Sequence, residues 1–424
     1  MPLVYFETFG CQMNVSDSDE LADALLLRGF TKTESSKDAD VVVINTCSVR
    51  EHAEVRALAR ISQHAAHKKQ HKKRQSIWVM GCMAQRMGES LLKKIPGIDR
   101  VIGARELSAF LADLDAVCAS ERRGPPHTMA QGGVSRFVPI MRGCNNGCAY
   151  CVVPSVRGPE LSLPAAGIEA TVKSLVDKGA KEVTLLGQNV NSYRDGATDF
   201  SSLLRRLHAI DGLHRIRFTT SHPKDCTERL VLTMAQLPKL CKHLHLPVQS
   251  GARRVLSLMN RSYTPDGYLR LIDMIRKHLP YADITTDAMV GFPTETEQEY
   301  KDTLSLFRTV RFTAAFMFMY SARPGTAAGQ MEDDVPLAEK KRRLKELIDV
   351  QTSITRRQYA AMVGAECAVL FTARQDGGQR LWMGQDTGCK RALMACKEPL
   401  AGTILNVRVT KSTGMTLICE TTPP

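Results

Sequence analysis

Cys144, Cys148 and Cys151 fall in the stretch GCNNGCAYC with the spacing C-x3-C-x2-C. Three thiols on one short loop suit three corners of a four-iron, four-sulfur cluster and leave its fourth iron without a protein ligand. The competing reading is a structural zinc loop. Zinc motifs of this kind come as separated cysteine pairs, and no second pair follows at the expected distance. A second set is spread more widely. Cys11, Cys47 and Cys82 each close an apolar run, LVYFETFGC, DVVVINTC and SIWVMGC, and stand 36 and 35 residues apart. A lone buried cysteine usually serves as a small apolar filler. Three at the same place in successive repeats point instead to a shared ligand. With thiols only and no neighbouring histidine, an iron-sulfur cluster fits better than a four-ligand structural zinc, and one iron again stays open for chemistry.

Something must bring Cys11, Cys47 and Cys82 together. Each closes a β-type run that leads into an amphipathic stretch, SDSDELADALLLRGF, VREHAEVRALARISQ and MAQRMGESLLKKI, about the length of one βα repeat. Right-handed helical crossovers make such strands parallel, so their carboxyl ends share one edge, with neighbours roughly 4.8 Å apart. An N-terminal parallel α/β domain is expected. Beyond it, strand-like runs recur at RFVPIMR, EVTLLGQNV, RIRFTTSHP, KHLHLPVQSG, DITTDAMVGFP and AAFMFMYSARPG, separated by helical stretches. Six βα units predict a partial (βα)6 TIM-like barrel with its site at the carboxyl ends of the strands. Those ends carry Gln188, Asn189, Asn191, Ser221, His222 and Gln249 beside Gly187, Gly251 and Gly291, polar groups for hydrogen bonds and glycines for close backbone approach. No Ser-His-Asp or paired-carboxylate arrangement has a recognisable context, so catalysis is expected from nothing beyond the cluster ligands.

The 424 residues suffice for two or three domains. Boundaries are placed at 1–120, 130–358 and 360–424, with the linker RRGPPHTMAQGG before the second and a long basic helix, PLAEKKRRLKELIDVQTSITRRQYAAMVG, before the third. The last 60 or so residues hold short strands such as ECAVLFTAR, QRLWMGQ, TILNVRVT and MTLICET and predict a small OB-like β-barrel. Lys and Arg number 57 against 44 Asp and Glu, a net charge of +13, which favours a polyanion such as RNA. The runs HKKQHKKR, from His67 to Arg74, and Lys340, Lys341, Arg342 and Arg343 are the candidate phosphate contacts. No apolar run of about 18 residues and no signal-peptide pattern is present, so a cytoplasmic protein without a membrane partner is expected. Thirteen cysteines in such a chain speak for metal or redox chemistry rather than disulfides. Cys118, Cys226, Cys241, Cys367, Cys389, Cys396 and Cys419 lack a ligand spacing and are read as structural.

The C-x3-C-x2-C stretch resembles the radical S-adenosylmethionine (SAM) superfamily, with Tyr150 at its aromatic position. TFGCQMN, NTCSVRE, GCMAQ, LPVQSG and MNRSYT, with a TRAM-like tail, resemble the methylthiotransferase family over essentially the whole chain, and most closely its tRNA branch. That branch makes 2-methylthio-N(6)-dimethylallyladenosine at position 37, beside the anticodon. The resemblance implies that Cys11, Cys47 and Cys82 hold an auxiliary 4Fe-4S cluster and that Cys144, Cys148 and Cys151 hold the SAM-binding one. It places Tyr150, Gln188, Asn189, Ser221 and Gln249 at SAM. It further implies two SAM molecules per turnover, one methylating a sulfur and one yielding the radical that removes the hydrogen of adenine carbon 2. The partners it implies are a tRNA anticodon stem-loop, an electron donor of flavodoxin or ferredoxin type and a sulfur-delivery or cluster-assembly protein, and a monomer is expected. Leu163-Pro164 and SGARR depart from the family's usual Arg-Pro and SGS, which bears on substrate contacts near Leu163 and Ala252. The alternatives are a threonylcarbamoyl-adenosine tRNA or a ribosomal-protein aspartate as substrate and, in another class, a non-enzymatic iron-sulfur RNA-binding or electron-transfer protein.

Overall fold

The computed structural model describes residues 1–48, 51–70, 74–117, 133–375 and 380–422. The chain divides into two compact units. One holds the N-terminal sheet together with Arg142–Asn146 and Cys151–Leu161; the other holds Gly132–Met141, Gly147–Tyr150 and everything from Ser162 onward.

In the first unit, β1 (Leu3–Thr8), β2 (Thr31–Lys32), β3 (Val41–Thr46), β4 (Ser76–Gly81) and β5 (Arg100–Gly103) form one sheet in the order β2-β1-β3-β4-β5. Every pairing is parallel. Central β3 reads VVVINT and is buried throughout, as a strand covered on both faces must be. Val42, Ile44, Ile77 and Val79 face one way and pack with Ala57, Ile61 and Ala65 of helix α2 (Glu51–Gln70). Val41, Val43, Trp78 and Met80 face the other way and pack with Leu21 and Leu25 of helix α1 (Gln12–Leu26). The strand order reverses direction at β1 and β3, a crevice where doubly wound sheets bind ligands. Cys11 follows β1, Cys47 follows β3, and Cys82 opens the short helix α3 (Cys82–Met87) after β4.

The second unit carries six parallel strands in two groups of three. One group is β6 (Ser135–Pro139), β7 (Glu182–Leu186) and β8 (Arg215–Phe218); the other is β9 (His243–His245), β10 (Asp283–Val290) and β11 (Ala314–Met319). The expected single curved sheet is thus interrupted, and one parallel bridge, Ile216 to Leu240, joins the halves. Helices cover one face of these strands over a core that includes Leu185, Ile216, Leu244, Ile284, Val290 and Phe307. Helix α5 (Leu337–Ala360) runs beside β11 and leads to five strands, β12 (Glu366–Gln375), β13 (Leu381–Gln385), β14 (Arg391–Ala395), β15 (Ile404–Ser412) and β16 (Leu417–Thr421). They close into a barrel in the order β12-β13-β14-β16-β15.

Buried charge fastens that barrel to the strand starts. Lys390 lies 2.5 Å from both carboxylate oxygens of Asp283, the first residue of β10. Arg217 donates to Glu182 at 2.7 Å and to the carbonyls of Asp386 and Gly388. Arg215 donates to the carbonyls of Gln385 and Ala368 at 2.7 and 2.8 Å.

Candidate cluster and cofactor sites

The first unit brings Cys11, Cys47 and Cys82 to one sheet edge, and glycine makes this possible. Gly10 has φ +129°, and a Cβ there would lie 2.9 Å from the Cβ of Cys47. Gly81 has φ +100°, and its Cβ would meet Asn45 Oδ1 and the Thr46 carbonyl. Gly-Cys on the two outer strands thus flanks Asn45-Thr46-Cys47 on the middle one, because only glycine turns the chain so tightly there. The asparagines lock the edge. Asn14 Nδ2 donates to Asn45 Oδ1 at 2.7 Å and to the Thr46 carbonyl at 3.0 Å, and Asn45 Nδ2 returns a bond to the Asn14 carbonyl at 2.8 Å. Cys11 Sγ donates to Asn14 Oδ1 at 3.2 Å.

Sequence reasoning missed the cation of this site. Arg157 closes the short helix α4 (Val153–Arg157) that follows Cys151, and its guanidinium donates to Asp17 at 2.9 Å. Both side chains are buried. Burial opposes the charge of Arg157, but Asp17, Cys82 and Cys11 more than offset that and keep it a cation. Burial pushes the Cys82 thiol up to about 11; Arg157 pulls it down, and Cys11 and Cys47 push it up. Among the described residues no group of three His, Cys, Asp or Glu is placed to hold a metal ion as the side chains stand. A donor set of three thiols beside a buried guanidinium suits an anionic thiolate cluster. Loading would release the thiol protons.

The C-x3-C-x2-C loop is held by backbone and side-chain donors. Cys144 N donates to the Gly158 carbonyl at 3.1 Å. Its Sγ accepts from Asn146 N and Nδ2 at 3.4 and 3.5 Å, and Cys151 Sγ accepts from Val153 N at 3.4 Å. In the second unit Cys148 Sγ accepts from Arg261 Nη1 at 3.3 Å, while Arg261 Nη2 donates to the Pro247 carbonyl at 3.0 Å. Such N–H···S contacts stabilise thiolate and tune cluster potential. Burial disfavours the charge of Arg261, and Tyr150, Tyr263 and Cys148 more than offset it. Tyr150 also packs against the buried cluster that includes Ala252 and Phe292.

Three of the residues expected to bind a cofactor carry buried atoms without partners: Gln188 Oε1, Asn189 Oδ1 and Ser221 Oγ. A buried polar group left unpaired costs about 1–3 kcal/mol, so three beyond the carboxyl ends of adjacent β7 and β8 fit a polar ligand supplied from outside. Asn189 is aimed by its own amide, which donates to Asp225 at 2.7 Å. Gln249 holds φ +66°, a strained backbone of the kind that clusters at functional sites. His222 exchanges two 2.9 Å hydrogen bonds with Asn191, and burial, then Arg261 and Lys224, lower it to about 3, so it is neutral.

The basic residues of α5 differ in their surroundings. Lys340 is buried against Asp333 and the ring of Tyr320, and Arg343 is buried against Glu295 at 2.9 Å. Arg342 is engaged by Glu297, Glu339 and Glu346, and Lys341 is exposed. Periodicity missed this because the carboxylate partners come from distant segments. A Cβ at Gly187, Gly251 or Gly291 would meet Met141, Asp302 or Lys340 respectively. Of the run from His67 to Arg74, Lys68 pairs with Asp99, and residues 71–73 lie outside the described residues, as does Cys118. Cys226, Cys241 and Cys419 are buried as expected of structural cysteines.

Comparison with known proteins adds independent findings. Residues 3–103 match the uncharacterized protein family UPF0004, and residues 138–307 match the radical SAM superfamily. The chain is 43% identical over 422 residues, 96% of this chain and 95% of the relative, to a tRNA-2-methylthio-N(6)-dimethylallyladenosine synthase of Citrifermentans bemidjiense. It is 41% identical to the protein of that name in Chlorobaculum tepidum, over 98% of this chain and 97% of the relative. Among solved structures it shares a fold with the radical SAM methyltransferase TsrM of Kitasatospora setae, with a TM-score of 0.58 at 16% identity over 78% of this chain and 77% of that one.

Proposed function

The chain belongs to the tRNA-2-methylthio-N(6)-dimethylallyladenosine synthase family of radical SAM enzymes, and from that premise we propose that it converts N(6)-dimethylallyladenosine at tRNA position 37 to its 2-methylthio derivative. Full-length identity above 40% to enzymes of that name carries this reading.

The proposal assigns Cys11, Cys47 and Cys82 to an auxiliary 4Fe-4S cluster and Cys144, Cys148 and Cys151 to a second that binds SAM. When bound, these groups supply an electron for reductive cleavage of SAM and a sulfur for transfer, which adenine carbon 2, neither acidic nor nucleophilic, requires. The protein's part is positional. Arg157 and Arg261 neutralise thiolate charge at Cys82 and Cys148. Asn14 and Asn45 fix the edge that carries Cys11 and Cys47. Gln188, Asn189 and Ser221 offer their unpaired atoms to SAM, and Tyr150 and Gln249 line the same end. His222, neutral throughout the physiological range, positions its loop and does not relay protons.

A three-part division, 1–120, 130–358 and 360–424, belongs to the same proposal, with the central strands read as a partial TIM-like barrel and the C-terminal barrel as a TRAM module that holds the anticodon arm. So do a flavodoxin-type or ferredoxin-type electron donor, a sulfur-delivery protein, a monomeric state and a cytoplasmic location. Among the described residues no helix is long and apolar enough to cross a membrane. Mass spectrometry of nucleosides tests the function: tRNA from a deletion strain should regain the methylthio derivative when this chain is expressed. If it accumulates only N(6)-dimethylallyladenosine, the proposal is wrong.

A further inference from the structure

We propose that Phe316 is the platform on which the target purine stacks, an inference that rests on the tRNA-modifying reading above. Ala315, Met317 and Met319 of β11 pack towards the helix-covered core. Alternation along a strand then turns Phe316 to the opposite, inner face. There its side chain is 55% exposed, although phenylalanine usually gains from burial. β11 is an outer strand of its group, and β6 is the outer strand of the other; among the described residues the two do not pair, so the inner face is open between them.

The neighbours of Phe316 are polar and fixed. Asp287 stands opposite it in register on β10. The ring of His245 lies 6.2 Å away, with Nδ1 3.0 Å from Thr285 Oγ1 and Nε2 3.5 Å from Asp287 Oδ1. A flat apolar face bordered by hydrogen-bonding groups is what a purine ring requires. Depth agrees too. The Asp287 carbonyl accepts from Gln249 N at 2.8 Å, so Phe316 stands level with the Gln249 backbone, three residues short of the carboxyl end of β11. Arg261 binds both Cys148 Sγ and the carbonyl of Pro247, two residues before Gln249, so the reacting end of the unit lies close above. On the facing outer strand Phe137 lines a cavity of about 620 Å³ at the amino ends of β6 and β7, shared with Met383, Gln385 and Arg391 of the C-terminal barrel.

The test uses the full chain with both clusters reconstituted and an anticodon stem-loop RNA bearing N(6)-dimethylallyladenosine. Phe316→Ala should raise the apparent KM for this RNA about ten-fold, the low end for loss of a base-aromatic stack. Phe316→Tyr should restore it to within about three-fold by the same stacking. SAM cleavage without RNA, read as 5′-deoxyadenosine, should stay within about two-fold of the parent if the ring serves RNA alone. Binding provides a readout that does not depend on turnover. The parent should prefer this RNA over a copy abasic at the target position by about ten-fold, and Phe316→Ala should erase the preference. An unchanged KM with an unchanged preference would overturn the proposal, as would a parent that shows no preference. Loss of SAM cleavage together with a raised KM for SAM would also overturn it, by assigning the ring to SAM. A parent that prefers the base and cleaves SAM but forms no methylthiolated product would instead refute the functional reading.

Discussion

Arg157 and Asp17 form a buried ion pair, 2.9 Å from Nη2 to Oδ2, beside the three N-terminal cysteines. Asp17 also accepts from Arg142 at 2.9 Å, so one carboxylate anchors both ends of the segment that bears Cys144 and Cys151. Arg157→Met should destabilise the N-terminal unit by about 3 kcal/mol, since it strands a buried carboxylate with half its partners. The chain has two tryptophans. In a Trp382→Phe background the urea midpoint read from buried Trp78 isolates this unit. A midpoint unmoved by the substitution would mean that Arg142 alone compensates Asp17.

The two cysteine sets should fail differently. Protein reconstituted without oxygen should carry about eight irons per chain, and about four after Cys11, Cys47 and Cys82 are all replaced by Ala. That triple variant should still form 5′-deoxyadenosine but no methylthiolated RNA. Replacing Cys144, Cys148 and Cys151 should abolish both products. Circular dichroism must show each variant folded, because cluster binding is coupled to folding.

Gly81→Ala is a sharper probe of the N-terminal edge than any cysteine change. Its φ of +100° and the contact with Asn45 Oδ1 leave no room for a methyl group. About half the iron should be lost on reconstitution while SAM cleavage persists, as expected if four of about eight irons depend on this edge. Full iron content would show that the edge relaxes without cost to the cluster.

Salt dependence of tRNA binding should separate the basic residues of α5. Arg343→Met strands buried Glu295 and should cost about 3 kcal/mol of stability without changing the slope. Lys341→Gln should leave stability alone and flatten the slope by at most about one unit. A flatter slope for Arg343→Met in folded protein would put its guanidinium on RNA.

His222 and His243 are both held near 3 by burial, aided at His222 by Arg261 and Lys224 and at His243 by Arg217 and His245. Their folded values lie below the ordinary 6.5, so the unfolded chain binds more protons between these limits. Stability should therefore be complete above about pH 6.5 and fall as pH drops towards 3. Urea midpoints measured between pH 4 and 7 should vary less for His222→Gln than for the parent.

How much was legible beforehand depended on whether the signal was local. The cysteine-closed repeats revealed the parallel sheet, since a buried strand followed by an amphipathic helix is a contiguous pattern. β2, two residues long, and β5 left no such pattern, so the reversal of strand order at β1 and β3 emerges only in three dimensions. Gln188, Asn189 and Ser221 were legible as polar groups closing apolar strands. Arg157 was not, because its partner Asp17 lies 140 residues earlier. The pairing of Lys340 and Arg343 was hidden for the same reason: a run of cations looks exposed until distant Asp333 and Glu295 are folded against it.

The contact between Asp283 and Lys390 has a consequence for the order of events at the ribosome. The two residues are 107 positions apart. At ordinary rates of synthesis, Asp283 leaves the peptidyl-transferase centre about 5 to 20 seconds before its counter-ion is added. During that interval the start of β10 carries an uncompensated carboxylate, and Arg217 lacks the carbonyls of Asp386 and Gly388. The central strands therefore reach their final stability only after residue 390 has been added, and a chain truncated before that point should be a target for proteolysis rather than a smaller working enzyme.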